Sequence, residues 1–210
     1  MIASMRPPSP DALRLVLASA SPRRAELLTA AGFVFEVRAP DLDERALAGE
    51  SPDAHVLRLA SAKSAFVHDP AIPDRITLGA DTVVVVDDRI LGKPVDRAEA
   101  AAMLRRLSGR EHEVLTGVSV RLGTTELTEI TRTEVEFVPL SDDDIAWYVD
   151  SGEGLDKAGA YAIQGLAARF IPRIRGSYSN VVGLPVSVVS GLIGRIVRRA
   201  GRAPDLASSR

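Results

Sequence analysis

The chain has 210 residues, of which 46% are hydrophobic and 26% charged, so it can bury a substantial core as one large domain or two joined lobes. It contains no cysteine, which excludes disulfides and thiolate metal sites and favours oxygen-bound hard cations such as Mg²⁺. The formal net charge of -2 lacks the basic excess typical of proteins that wrap duplex nucleic acid, whereas a small anionic ligand remains compatible with it.

The two ends of the chain differ in composition from the rest. Residues 1–13 are rich in proline and offer no apolar signal core, and residues 201–210 lack periodicity, so we expect a flexible extension and a disordered tail. The apolar run 76–86 is interrupted by Gly79 and Asp81 and is shorter than the roughly 20 residues that span a membrane. These patterns predict one domain over residues 14–200 in a cytoplasmic protein that contacts neither membrane nor nucleic acid.

The first predicted unit is a strand, a tight turn and a helix. Residues 15–18 form the apolar strand, Ser21 is placed to cap the helix, and Pro22 suits its first position. A helix N-terminus offers free N–H groups to a phosphate, to which Arg23 and Arg24 could add charge-assisted bonds. An ordinary capped helix with two solvated arginines explains this segment equally well.

An acidic loop follows a second strand, predicted over residues 33–38. Its Glu44 could supply a carboxylate to a metal ion, although acidic loop residues are usually solvated. Ser51 and Pro52 then repeat the signal for a helix start, and Lys63 lies near the end of that helix.

Asp81 interrupts the β-branched strand predicted over residues 76–86, which turns into a hairpin with residues 90–91. A carboxylate in an apolar strand is costly unless it is paired or bound to metal, which would place Asp81 at a reacting centre as base or metal ligand. The alternative is an edge-strand aspartate that points to solvent.

The second half of the chain predicts further alternation of helices and strands. Asp96 and Glu99 have capping-box spacing, residues 114–122 and 126–138 indicate a long hairpin, and Ser141 opens another helix. We expect a structured loop over residues 152–165. A strand over 169–174, a loop over 176–185 and an amphipathic helix over 188–197 complete an α/β fold with a mixed sheet.

Isolated polar residues in the glycine-containing loops add weaker signals. Lys93 and Lys157 could approach a phosphate, and the amide of Gln164 could read a base edge. Surface positions are the commoner role for such lysines and for Lys63. The histidines at positions 55, 68 and 112 lack metal-ligand spacing, so we interpret them as structural or surface residues.

Five segments occur in an order that resembles the Maf family: LASASPRRAELL (17–28), GADTVV (79–84), LGKP (91–94), DKAGAYAIQG (156–165) and GSYSNVVGLP (176–185). The resemblance covers about residues 15–198. It implies the Maf/inosine-triphosphatase-like fold, an elongated mixed sheet flanked by helices with a cleft between two lobes. It also implies release of pyrophosphate from nucleoside triphosphates with a divalent metal, Mg²⁺ or Mn²⁺.

The resemblance also assigns roles to individual residues. Asp81 corresponds to the general base, and Glu44 and Asp81 to carboxylates available to the metal. Arg23, Thr82 and Gln164 correspond to positions linked to substrate choice. The remaining members of the expected polar pocket are Ser19, Arg24, Lys63, Lys93 and Lys157.

The loop DKAGAYAIQG is similar to the family branch that cleaves dTTP and UTP, which favours pyrimidine substrates and a role in cleaning the nucleotide pool. Gly154 departs from the commoner GEP pattern and could loosen this loop.

Two enzyme alternatives remain, an inosine-triphosphatase-like enzyme and a 7-methyl-GTP pyrophosphatase. A regulator of cell division or septum formation that acts by binding is an alternative of another class, and a homodimer stays open.

Overall fold

The structure is a computed structural model, and it describes residues 13–201. Except for Leu13 and Gly201, the extension predicted over 1–13 and the tail predicted over 201–210 lie outside the described residues. Within the described range, no helix has the length and hydropathy needed to cross a membrane.

Strands and helices alternate through the described chain. The strands are β1 (Arg14–Ala18), β2 (Phe35–Val37), β3 (Arg75–Val86), β4 (Arg89–Leu91), β5 (Glu111–Leu122), β6 (Thr125–Glu136) and β7 (Arg173–Arg175). The helices are α1 (Pro22–Ala30), α2 (Pro52–Val67), α3 (Arg97–Leu107), α4 (Asp142–Asp150), α5 (Tyr178–Val182) and α6 (Val186–Arg199). Two 3₁₀ segments, Ala158–Ala160 and Leu166–Phe170, lie between α4 and β7.

The strands form one mixed sheet in the order β2-β1-β3-β5-β6-β7, with β4 paired to β3. β1 is parallel to β2 and β3, whereas the β3–β4, β3–β5, β5–β6 and β6–β7 pairs are antiparallel. β3, β5 and β6 have 12 residues each, a length of about 40 Å, so the sheet is elongated as predicted. The predicted α/β class and mixed sheet are confirmed.

Two hydrophobic cores share one face of this sheet. Ile76 and Leu78 of β3 belong to the first core, together with buried residues of α6. Val84 and Val86 lie on the same face, since strand side chains alternate, but they belong to a second core with α3 and α4. α2 covers the opposite face. The two cores correspond to the two lobes that the family resemblance implies.

Local signals at the helix starts are confirmed to different degrees. Ser51 accepts a hydrogen bond from Ala54 N, and Ser141 forms a full capping box with Asp144. The Asp96 side chain caps α3 by accepting a hydrogen bond from Glu99 N. The Glu99 side chain accepts in return from Val95 N, the residue before the cap. The side chain of Ser21 forms no cap bond at α1, so this part of the prediction is wrong.

Two predicted segments between α4 and α6 also differ from the structure. The strand predicted over residues 169–174 is limited to β7, because Ala167 and Phe170 enter the second core from a 3₁₀ segment whose three-residue period places them on one side. The loop predicted over 176–185 contains α5, which Ser177 caps through Asn180 N.

Candidate active site

A cleft opens where β3 lacks a strand partner along one edge. β1 pairs with β3 only as far as Gly79, and β4 pairs with it only from Val84. Residues 81–83 therefore face a space of about 740 Å³ between the two lobes. All ten predicted site residues line it: Ser19, Arg23, Arg24, Glu44, Lys63, Asp81, Thr82, Lys93, Lys157 and Gln164.

Three charged side chains meet on the α2 side of β3. Lys63 Nζ lies 2.7 Å from Asp81 Oδ1 and 2.7 Å from Glu44 Oε1. Asp81 and Lys63 are buried, which rules out the solvent-facing aspartate and the surface lysine considered above, whereas Glu44 is half-exposed. Partial burial raises the pKa of Glu44, but the bond from Lys63 and nearby cationic charges outweigh this effect and lower the pKa. The trio thus provides two carboxylates and one ammonium at the cleft.

Two glycines allow α2 to bring Lys63 to Asp81. A Cβ on Gly79 would lie 2.2 Å from Ala60 O, and one on Gly117, the β5 partner of Asp81, would lie 2.4 Å from Val56 O. Only a strand surface without side chains at these positions accommodates the α2 backbone. The glycines therefore set the distance between the helix and the sheet.

Arg24 connects α1 to the free edge of β3. Its buried guanidinium donates to four acceptors: Gly183 O (2.8 Å), Ala80 O (2.9 Å), Ser19 Oγ (3.1 Å) and Thr82 Oγ1 (3.1 Å). Burial lowers the pKa of Arg24, and nearby carboxylates oppose this shift. Because a guanidinium has five N–H donors, one remains for a ligand. Arg24 therefore connects the parts of the cleft wall that carry these acceptors. Its contact with a phosphate stays a prediction.

The N-terminus of α1 faces the same cleft. Ser19 Oγ accepts from Ser21 N at 3.2 Å, while the Ser21 hydroxyl caps nothing. Arg23 is partly exposed, and its Nη1 lies 3.7 Å from Asp156 Oδ2 in the opposite loop. The positive end of α1 and Arg23 can together attract an anion.

The opposite wall consists of two loops joined by a backbone bond. Gly159 N donates to Gly92 O at 3.0 Å, which holds the loop of Lys157 beside the loop of Lys93. Lys93 is exposed, and Lys157 is half-buried beside Asp156. Both ammonium groups face the cleft from the side opposite α1.

Tyr148 and Glu153 hold the segment that contains Gln164. Tyr148 OH accepts from Ala162 N at 3.0 Å and donates to Glu153 Oε2 at 2.8 Å. Glu153 Oε1 accepts from Leu166 N at 3.0 Å, so both sides of the exposed Gln164 are tied down. An exposed amide on a restrained backbone suits recognition of a base edge.

Gly154 lies beneath this segment. A Cβ at this position would come within 2.1 Å of Ala160 O. Gly154, which stands where the commoner GEP pattern has proline, therefore allows two parts of the loop to approach each other closely.

His55 is a residue of this cleft that the sequence does not predict. Its expected role is structural or surface, yet it is buried on α2, lines the cleft and places Nε2 3.9 Å from Asp81 Oδ2. The available signal is the spacing of His55, Leu59 and Lys63, since residues four apart share a helix face. All three line the cleft.

Comparisons with known proteins agree with the predicted resemblance. A family model described as Maf-like protein matches residues 14–196. The dTTP/UTP pyrophosphatase of Symbiobacterium thermophilum is 55% identical over 173 residues, which cover 82% of this chain and 89% of that protein. The dTTP/UTP pyrophosphatase of Anaeromyxobacter dehalogenans strain 2CP-C is 52% identical over 192 residues, which cover 90% of this chain and 94% of that protein.

Among solved structures, the nucleoside-triphosphatase / dITP/XTP pyrophosphatase of Mycobacterium abscessus superposes with a TM-score of 0.41 at 16% identity, over 60% of this chain and 74% of that one. The family model spans nearly all the described residues, and the curated relatives are more than half identical over most of both chains. The chain therefore belongs to the Maf family.

Proposed function

We propose that this chain hydrolyses nucleoside triphosphates to nucleoside monophosphate and pyrophosphate, with dTTP and UTP preferred, as an enzyme that cleans the nucleotide pool. The observation on which the proposal depends is the position of the Glu44–Lys63–Asp81 trio in one cleft with the N-terminus of α1 and Arg23. Carboxylates that activate water thus face groups that attract phosphate. The names of the half-identical relatives support the same reaction.

In the proposed step, water attacks the α-phosphorus of the bound triphosphate. Oδ1 of Asp81 is engaged by Lys63, so Oδ2 is the oxygen available to accept a proton from that water. A bond forms between the water oxygen and the α-phosphorus, and the bond from this phosphorus to the α,β-bridging oxygen breaks. Pyrophosphate leaves with the bonding electrons, and Arg23, Lys93 and Lys157 stabilise the charge that develops on the phosphates.

The two carboxylates of the trio are ligands of the type that a divalent cation prefers. Among the described residues, no three histidine, aspartate or glutamate side chains converge as a complete metal site. Glu44 and Asp81 nevertheless flank Lys63 Nζ at 2.7 Å each, so two carboxylates lie in one part of the cleft, and Mg²⁺ is commonly bound by one or two carboxylates together with substrate phosphates. A cation bound there would neutralise charge on the triphosphate oxygens.

We assign recognition of the nucleobase to the wall of the cleft opposite the Glu44–Lys63–Asp81 trio. The restrained amide of Gln164 can donate and accept, which matches the donor and acceptor edge of a pyrimidine. Arg23 and Thr82 complete the set of positions proposed to affect substrate choice. A cytoplasmic location and a homodimer stay predictions from the sequence.

The test is pyrophosphate release by the purified protein with Mg²⁺ or Mn²⁺, across dTTP, UTP, CTP, ITP, GTP and 7-methyl-GTP. We expect dTTP and UTP to lead and Asp81→Asn to lower kcat by about 10²–10⁴-fold, the usual contribution of a general base. Asp142→Asn removes an exposed carboxylate of α4 and serves as the matched control, with kcat as in the wild type.

Other outcomes contradict separate parts of the proposal. Preference for ITP or 7-methyl-GTP would keep the reaction but overturn the assignment of Gln164. Near-normal turnover by folded Asp81→Asn would exclude Asp81 as the base. Absence of turnover with every nucleotide would favour a protein that acts by binding.

A further inference from the structure

His55 lies beside the proposed base and has no role in the mechanism above. It is 5% exposed, and its Nε2 faces Asp81 Oδ2 at 3.9 Å, which is too long for a direct hydrogen bond. Its Nδ1 lies 3.1 Å from Glu50 Oε2. The ring thus lies between two carboxylates, one of which is Asp81.

The environment of Glu50 requires His55 to donate from Nδ1. Arg58 donates to Glu50 Oε1 at 2.6 Å and to Oε2 at 2.7 Å, and this pairing lowers the pKa of Glu50 to about 2. The ionised carboxylate can only accept, so the bond to His55 requires a proton on Nδ1. Arg58 Nη2 lies 3.3 Å from the same nitrogen, but its two hydrogens are directed to Glu50 and to Arg45 O.

With Nδ1 bonded to Glu50, Nε2 is the ring nitrogen that faces Asp81. Asp81 Oδ2 is an acceptor, since Oδ1 already receives the bond from Lys63. The 3.9 Å between Nε2 and Oδ2 suits one bridging water molecule that bonds to Nε2 and donates a hydrogen to Oδ2. That water keeps a lone pair free for attack.

We propose that His55 is a catalytic residue that holds the attacking water together with Asp81, an inference that rests on the proposed pyrophosphatase reaction. The water gives one proton to Asp81 Oδ2 as its oxygen bonds to the α-phosphorus and pyrophosphate departs. Its second hydrogen stays on the new phosphate oxygen. His55 bonds the water through Nε2 during the attack and so orients the nucleophile.

Two amide substitutions separate this role from a structural one. His55→Asn keeps a polar group near the position of Nδ1 and can bond Glu50, but it has nothing at the position of Nε2. His55→Gln reaches further and can direct its amide oxygen towards the water. We expect His55→Asn to lower kcat for dTTP by about 10²-fold with KM near the wild-type value, because the nucleophile loses its orientation. His55→Gln should retain a kcat at least about tenfold above that of His55→Asn.

A merely structural His55 gives the opposite order, since the variant that keeps the Glu50 bond would then be the more active. Wild-type kcat in His55→Asn, or no advantage of His55→Gln, overturns the inference and leaves the proposed function intact. Absence of pyrophosphate release by the wild-type protein removes the proposed function and the inference with it. If thermal melting shows that His55→Asn does not fold, His55→Gln is compared with His55→Met, which has similar length without an acceptor; equal kcat values then overturn the inference.

Discussion

Lys63 is the residue on which the charge balance of the cleft depends. Its side chain is 7% exposed and that of Asp81 is 9% exposed, so each ion lacks the solvation that a surface pair retains. A buried charge is tolerated when it is paired, and Lys63 pairs with two carboxylates at once. The ammonium therefore stabilises the ionised form of Asp81 that the proposed reaction needs.

Replacement of Lys63 by methionine should leave Asp81 as an uncompensated buried charge. We expect Lys63→Met to lower the free energy of unfolding by about 3 kcal/mol at pH 7, the cost of breaking a buried pair. Urea denaturation at pH 7 measures the loss.

Lys93→Met is the matched control, since Lys93 is exposed, and its unfolding free energy should stay near the wild-type value. Equal losses for Lys63→Met and Lys93→Met would contradict the charge balance assigned to Lys63.

Among the elements, α2 positions most of the proposed chemistry. It carries His55 and Lys63 on the face that lies over β3 and β5. The approach depends on Gly79 and Gly117, where the helix backbone occupies the space of a side chain. A shift of α2 away from the sheet would separate both residues from Asp81.

Gly117→Ala tests this dependence, because the new Cβ would lie 2.4 Å from Val56 O. We expect the free energy of unfolding to fall by about 2 kcal/mol, typical of overpacking, and kcat to fall as α2 moves. Denaturation and pyrophosphate release measure the two effects. Gly191→Ala in α6 is the control, since a Cβ there meets nothing within 4 Å and the helix should gain about 0.5–1 kcal/mol. Unchanged stability and kcat in Gly117→Ala would contradict the role assigned to this glycine.

On the scale of the whole molecule, two cores on one sheet must stay folded together for the cleft to exist. The second core encloses His112, which is 3% exposed and packs edge-on against Phe137 and Tyr161. Its Nε2 lies 2.8 Å from Tyr161 OH. Burial lowers the pKa of His112 to about 4, so the native protein holds this ring neutral.

This buried histidine should make the protein less stable in acid. The unfolded chain binds a proton at His112 below about pH 6.5, whereas the native protein does so only below about pH 4. Between these values the unfolded state binds more protons, so stability falls as the pH falls, by about 3 kcal/mol in total. Urea denaturation from pH 7 to pH 4 measures the loss.

His112→Phe keeps an aromatic ring and lacks the titrating nitrogen, so its stability should depend less on pH in this range. The same pH dependence in the variant and the wild type would exclude His112 as its cause.

Sequence reasoning placed most elements correctly and named ten residues that all line one cleft. It missed the positions whose function depends on distant partners. His55 gives no local signal of Glu50 or Asp81 beside it, and the cap predicted for Ser21 assumed a hydroxyl that the structure leaves unpaired at α1. The strand predicted over residues 169–174 overlaps the end of the 3₁₀ segment Leu166–Phe170, because short apolar runs fit either geometry.

The sequence by itself determined the alternation of strands and helices, the mixed sheet and the membership in the Maf family. These properties follow from local periodicity, caps and ordered motifs, which a linear chain displays directly. Only the tertiary structure decided that Lys63 pairs with two carboxylates, that Arg24 directs most of its donors to the protein, and that His55 faces Asp81. The reason is that the gap between β1 and β4 along β3, and the approach of α2 at Gly79 and Gly117, depend on contacts between residues far apart in the chain.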